Sequence, residues 1–308
     1  MNAPYRTDAS IDLPPMATHA SGCRCTLHAR RRLGGALLGA GALAAISPAA
    51  LAQDFRTECQ VSGFTKVISA EQIEQAAGQQ YAQMLSQASG KRALAPPNEP
   101  QLQRLRYIAN RIVPYTNTCN ARARNWKWDV NLIGSDQLNA FCMPGGKIAF
   151  FHGILAKLQL SDDEVAMIMG HEIAHALLEH ARERMGKTMA TRGAIEIGAA
   201  LFGIQGLGRT AADIGGQLLT LSFSRSDESE ADALGLVTAA AAGYDPRAGV
   251  TLWQKMLQAS KGAPPQWLST HPSGESRIAE IQGRLPRAMP IYEAAQKPGQ
   301  RFQPPSKG

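Results

Sequence analysis

The residues best suited to chemistry are His171, Glu172 and His175, in the string His171-Glu172-Ile173-Ala174-His175. In a helix four residues advance by about 400°, so the two imidazoles stand one turn apart on one face and can both reach a single Zn²⁺ ion. Glu172 flanks them. Its carboxylate can take a proton from an attacking water and pass it to a leaving amine, while Zn²⁺ makes that water nucleophilic near neutral pH. That is the chemistry of peptide hydrolysis. The string alone carries a false-positive risk, and a catalytic zinc needs a third protein ligand beside an open position for water. The acidic segment from Ser224 to Gly235 offers one, because Glu228 and Asp232, four residues apart, share a helix face. Glu228 can ligate the metal, and Asp232 can accept the far N–H of a ligand histidine and fix its tautomer and aim. The same spacing also suits a solvated acidic face.

These groups need elements to hold them. Ser161-Asp162-Asp163-Glu164 is a capping-box pattern that opens a helix through Val165, Ile168 and Met169 into the histidine pair. Ser69-Ala70-Glu71-Gln72 opens another, running to about Ser89 before Gly90. Leu102, Leu105, Ile108, Ala109 and Ile112 recur at helical spacing until Pro114 stops them. Residues 126–133 alternate with period two, and Lys147-Ile148-Ala149-Phe150-Phe151 is a short apolar run after Pro144-Gly145-Gly146, so both are expected as strands. From Ser161 to Leu285 the pattern is mostly helical. The expected class is α+β, mostly helical with a small mixed sheet. No internal repeat of 20 to 50 residues is present.

Composition bounds the partners. Of 32 Lys and Arg and 25 Asp and Glu among 308 residues, five Arg and two Asp lie in residues 1–52, leaving 27 basic and 23 acidic groups in the rest. A nucleic-acid binder would concentrate its basic residues on one stripe with interleaved aromatics; the one dense run, Arg30-Arg31-Arg32, sits in a leader, so no nucleic-acid partner is expected. That run precedes an uncharged stretch from Leu33 to Ile46, too short to span a bilayer. Ala50-Leu51-Ala52 then fits signal peptidase. Residues 1–52 read as a signal peptide cleaved after Ala52, of twin-arginine rather than Sec character, and the mature chain as a periplasmic protein with no membrane span, taken as a monomer. Beyond the leader lie Cys59, Cys119 and Cys142. An oxidising compartment permits one bridge, with Cys59 to Cys119 the favoured pair and three unpaired buried thiols the alternative. The chain after Ala294 is rich in Lys, Pro and Gln, and residues 291–308 are expected to form a disordered tail beyond a domain of 53–290.

Three linked motifs carry a family resemblance: Asn139-Ala140-Phe141-Cys142-Met143-Pro144-Gly145-Gly146, the HExxH string with a further His180, and the segment from Ser224 to Gly235. In order and spacing they resemble the HtpX- and BepA-like zinc metallopeptidases of peptidase family M48, over about Ser69 to Arg284. The resemblance implies a zincin-like fold and a zinc metalloendopeptidase acting on protein or peptide substrates, among them misfolded envelope proteins. One zinc would be held by His171, His175 and Glu228, with Glu172 as catalytic base and Glu230 not a ligand. It also implies that the strand Lys147–Phe151 is an edge strand able to pair with an extended substrate. His271, with Pro272, and Arg277 resemble a downstream family element that can bring an imidazole or guanidinium to the oxyanion of the tetrahedral intermediate. His271 can equally occupy the open zinc position at rest, or belong to a plain His–Pro turn. His180 lies nine residues from His171, about half a turn out of phase, and is not expected on the zinc. The Gly-rich stretch 193–216 allows close helix packing or a lid over the cleft. The rivals to the enzyme are a zinc-dependent periplasmic chaperone or assembly factor and a structural zinc protein with four protein ligands.

Overall fold

The computed structural model describes residues 59, 61–201, 218, 221–260, 266–271 and 275–306. The expected signal peptide, its cleavage site and Pro272 lie outside the described residues. Helix α1, Ala70–Gly90, starts on the Ser69–Gln72 capping box. Helix α2, Pro100–Ile112, has proline in its first turn, where the missing N–H costs nothing, and buries its five spaced apolar residues. Strand β1 is Asp129–Ile133, β2 is Ala140–Met143 and β3 is Lys147–Phe151. Trp126 and Trp128 stand before β1 instead of within it. The indole of Trp126 donates to Glu74, and Trp128 lies so close over Gly146 that a Cβ there would sit 2.8 Å from its ring.

The sheet order is β1-β3-β2, with β1 parallel and β2 antiparallel to β3. This corrects the expected edge: Lys147–Phe151 is the central strand, and β2 is outermost. The reason is the Pro144-Gly145-Gly146 turn. Both glycines take positive φ, 81° and 75°, and fold β2 back as a hairpin along one side of β3, while β1 takes the other. The outer side of β1 is partly covered, by the Leu94–Ile133 bridge and the Ala95 N–H to Leu132 bond.

Among the described residues seven helices follow: α3 His152–Leu158, α4 Asp162–Leu177, α5 His180–Leu201, α6 Arg225–Ala241, α7 Ala248–Ala259, α8 Gln266–Thr270 and α9 Glu275–Ala294. Of the stretch 193–216, residues 202–216 lie outside the described residues, and with them the choice between close packing and a lid. Helix α4 runs through the middle of the core, against α2, β2, α6 and α7, in one apolar cluster with Leu105 and Ile108 of α2, Ala140 and Cys142 of β2, Leu234 of α6 and Trp253 of α7. Helix α1 covers the other face of the sheet, where Ala77 and Tyr81 meet Ile133, Met143 and Ala149, and the Tyr81 hydroxyl donates to Ile148 O at 2.6 Å. Cys59 and Cys119 are bridged, and Cys142 is a free buried thiol. Among the described residues no helix is long and apolar enough to cross a membrane.

The expected disordered tail at 291–308 is also corrected. Helix α9 continues past Pro286 and Pro290 to Ala294 because Ala288 and Ile291 are buried in the core. The following segment then crosses the acidic N-terminal turn of α4. Arg301 donates to Asp163 at 2.9 Å, the Phe302 N–H donates to Asp162 at 2.8 Å, and the Phe302 ring packs against Tyr107. Asp162 is itself ion-paired with buried Arg104. Low hydrophobicity hid this docking, since one aromatic ring and a few hydrogen bonds carry it.

Candidate metal centre

Helices α4 and α6 bring the site together by touching at backbone. A Cβ on Gly170 would meet Gly235 O at 2.7 Å, and one on Gly235 would meet His171 N at 2.7 Å. A side chain at either position would drive the helices apart, so two glycines set the approach. Gly170 directly precedes His171, and Gly235 lies two turns beyond Glu228, so the contact fixes the histidine pair against the acidic face. Each helix begins at a complete capping box, Ser161 with Glu164 and Ser224 with Asp227.

The candidate ligand atoms converge. His171 Nε2 lies 3.1 Å from His175 Nε2 and 3.6 Å from Glu228 Oε2, and His175 Nε2 lies 3.4 Å from Glu228 Oε1. One ligand atom each from His171, His175, Glu228 and His271 all fall within 4.8 Å of one another, and all four residues are buried. Ligand atoms on a tetrahedral zinc are roughly 3.3–3.5 Å apart, close to the 3.1–3.6 Å separations among His171, His175 and Glu228. Two further observations fit a cation. Glu228 Oε1 and His271 Nε2 are buried without a hydrogen-bond partner. Both motif imidazoles also have their Nδ1 atoms engaged away from the centre, His171 with Asp232 at 3.0 Å and His175 with His180 at 2.9 Å. Their Nε2 lone pairs therefore face each other across a gap that a shared cation would relieve.

Electrostatics point the same way. Burial lowers the pKa of His171, and burial followed by the neighbouring His171 ring takes His175 and His271 well below the usual imidazole value. Neutral imidazoles are what a metal requires. Burial pushes Glu228 up to about 9 against the opposing pull of Arg277, and pushes Glu172 up to about 8 against the hydrogen bond from Trp267. For Asp232 burial is outweighed by Arg277 and His171, which hold it at about 2, so it remains a carboxylate.

Arg277 is not where the oxyanion expectation put it. Its Nε and Nη2 bond Asp232 at 2.8 and 2.6 Å, its Nη1 bonds Glu228, and its guanidinium lies 3.8 Å over the Trp253 ring. It braces the two carboxylates and approaches His171 on its Nδ1 side, 3.5 Å from that atom. His271 does belong to the cluster, with its Nε2 3.6 Å from Glu172 Oε1.

Three contributors went unforeseen. The Trp267 indole N–H donates to Glu172 Oε1 at 2.6 Å, and its ring stacks on His271. One turn separates Trp267 from His271, a spacing that could have flagged the pair. Phe223 stacks on His175 with ring centroids 4.0 Å apart. His180 reaches His175 although their phase on one continuous helix would forbid it. Glu179, at φ 58°, ends α4, and the chain restarts at His180. A cleft lined by Phe141, Cys142, Glu172, His175, Phe223 and His271 lies beside β2.

Residues 101–285 match peptidase family M48, a span that includes every residue of the cluster. Among similar proteins are the mitochondrial metalloendopeptidase OMA1 of Arabidopsis thaliana, 36% identical over 55% of this chain and 34% of the relative, and that of Schizosaccharomyces pombe, 36% identical over 53% and 48%. The beta-barrel assembly-enhancing protease of Escherichia coli is 28% identical over 63% of this chain and 41% of its own length. The chain thus spans between a third and a half of these relatives. With the family match covering more than half of its length, the chain belongs to peptidase family M48.

Proposed function

We propose that the protein is a zinc-dependent metalloendopeptidase. The observation that carries this reading is the buried convergence of His171, His175 and Glu228 with the Glu172 carboxylate beside them. Zinc held there supplies Lewis acidity to water and to the scissile carbonyl. Glu172 is the base: it takes the proton of the attacking water and returns it to the leaving amine. The Trp267 indole N–H holds its carboxylate, donating to Glu172 Oε1 at 2.6 Å. β2, outermost among the described strands and beside the cleft, suits an extended peptide laid along it, so Ala140–Met143 takes the substrate-pairing role expected of Lys147–Phe151.

The proposed substrates are misfolded proteins of the bacterial envelope, met by a monomeric chain exported through residues 1–52. The Escherichia coli relative, the beta-barrel assembly-enhancing protease, supports that setting. The test is casein hydrolysis by residues 53–308, with chelator, with zinc restored, and with Glu172→Gln. Activity that chelator removes and zinc restores, and that Glu172→Gln lacks, is the expected result. If Glu172→Gln keeps zinc and fully complements a deletion strain, the chaperone or assembly-factor reading replaces hydrolysis.

His271 favours one second reading, a structural zinc with four protein ligands. For the peptidase, His271→Ala retains zinc and casein hydrolysis. For a structural site the substitution releases the metal, and the wild-type chain hydrolyses nothing.

A further inference from the structure

The geometry points to His180 and Glu230 as positioning residues for the metal centre, a relay that fixes the tautomer and aim of His175 and leads from the buried site to solvent. This rests on the metal-site reading above and assigns a role to two residues that it leaves unused.

The hydrogen-bond logic runs in one direction. His175 presents Nε2 to the cluster, 3.1 Å from His171 Nε2. A neutral imidazole that offers Nε2 to a metal carries its proton on Nδ1. That atom lies 2.9 Å from His180 Nδ1, which must therefore be the bare, accepting nitrogen. The proton of His180 is then on Nε2, 3.4 Å from Glu230 Oε2. The other oxygen of Glu230 accepts from the Ser226 hydroxyl at 3.0 Å. Each link leaves one tautomer for the next, and the carboxylate at the end accepts without competition.

Burial supports the assignment. His180 is 1% exposed, so its ring nitrogens need partners inside the protein, whereas the Glu230 side chain is 45% exposed. The chain break makes the contact possible: with Glu179 left-handed, His180 opens α5 and turns its ring back onto His175. The arrangement parallels the other ligand histidine, whose Nδ1 is held by Asp232 and, behind it, Arg277. The two carboxylates of the Glu228-Ser229-Glu230 stretch thus divide the work, Glu228 turned to the metal and Glu230 to the relay. Outer partners of this kind typically carry about 10–100-fold in metal affinity.

The test is zinc affinity of the 53–308 chain, measured by competition with a chromogenic chelator, with circular dichroism to verify the fold. His180→Leu removes the acceptor, and His180→Asn places an amide oxygen near the position of Nδ1. We expect His180→Leu to bind zinc about 10–100-fold more weakly, His180→Asn to recover most of that loss, and Glu230→Ala to cost less than His180→Leu. Zinc binding by His180→Leu equal to wild type, or His180→Asn as weak as His180→Leu, overturns the relay while leaving the metal centre standing. If His180→Leu does not fold, the Asn variant decides: affinity near wild type supports the relay, and a loss of more than about tenfold overturns it. A wild-type chain without tight zinc binding overturns the metal-centre reading itself.

Discussion

The helix pair α4 and α6 and the C-terminal segment α8 to α9 both reach the metal centre, but they hold it differently. The pair meets backbone to backbone at Gly170 and Gly235, begins at two capping boxes, and supplies three ligand candidates from rigid helical positions. The C-terminal segment contributes side chains only: Trp267 on Glu172, His271 at the fourth position, and Arg277 behind Glu228 and Asp232. The contrast teaches a division of labour. Ligand spacing is set by the helix contact, and the state of the base and of the open position is set by a segment nearly a hundred residues downstream.

Substitutions in the two regions should therefore fail in different ways. The largest effect on turnover is expected from Glu172→Gln, which removes the base: kcat falls by about 10²–10⁴ while zinc content stays unchanged, read by casein turnover and metal analysis. Gly235→Ala attacks the helix contact. It should cost about 1–3 kcal/mol of stability and weaken zinc binding, whereas Gly283→Ala, where an added Cβ meets nothing within 4 Å, should do neither. Equal behaviour of the two alanine variants would break the claim that the glycine contact sets the ligands. Trp267→Phe tests the other region. The loss of one charge-assisted hydrogen bond, about 1.5–3 kcal/mol, should lower kcat by about 10- to 150-fold with zinc affinity intact. A fall in zinc affinity instead would place Trp267 with the helix pair.

The smallest effect is a pH dependence. The folded-state pKa values of His171, His175 and His271 are lowered, so below about 6.5 the unfolded chain takes up protons that the folded site refuses, and stability falls as pH drops. Glu228 is raised to about 9, so the metal-free fold loses its contribution as pH rises toward that value, while zinc competes with its proton. The rise in Tm on adding zinc should grow from about pH 6 to about pH 9. A constant rise across that range would contradict the assignment of Glu228 as a ligand.

The difference between the regions also explains what could be read in advance. The HExxH string, the acidic helix, the capping boxes at Ser69 and Ser161, α1 and α2 announce themselves because helical period, caps and residue chemistry are local signals, whereas the Cys59–Cys119 bridge, 60 residues apart, stood open against three free thiols. The sheet order was not local: only the positive φ of Gly145 and Gly146 shows that the chain returns outside β3, making β2 the edge. His180 lies outside the metal cluster, in keeping with its half-turn phase from His171, but its bond to His175 depends on the left-handed Glu179, whose conformation no residue type signals. Arg277 was expected at the oxyanion because its neighbourhood carried the family pattern, yet its direction depends on two carboxylates of α6 that it meets only in the fold. The docked tail was missed for a related reason: Arg301 and Phe302 look solvated until the acidic turn of α4 lies beside them.

The most direct measurement is the zinc content of Glu228→Ala set beside Glu230→Ala, both purified as residues 53–308. The account predicts that Glu228→Ala retains essentially no zinc and that Glu230→Ala retains about one ion per chain, as a single site requires. A Glu228→Ala chain that still carries its zinc would contradict the convergence of His171, His175 and Glu228 on one metal.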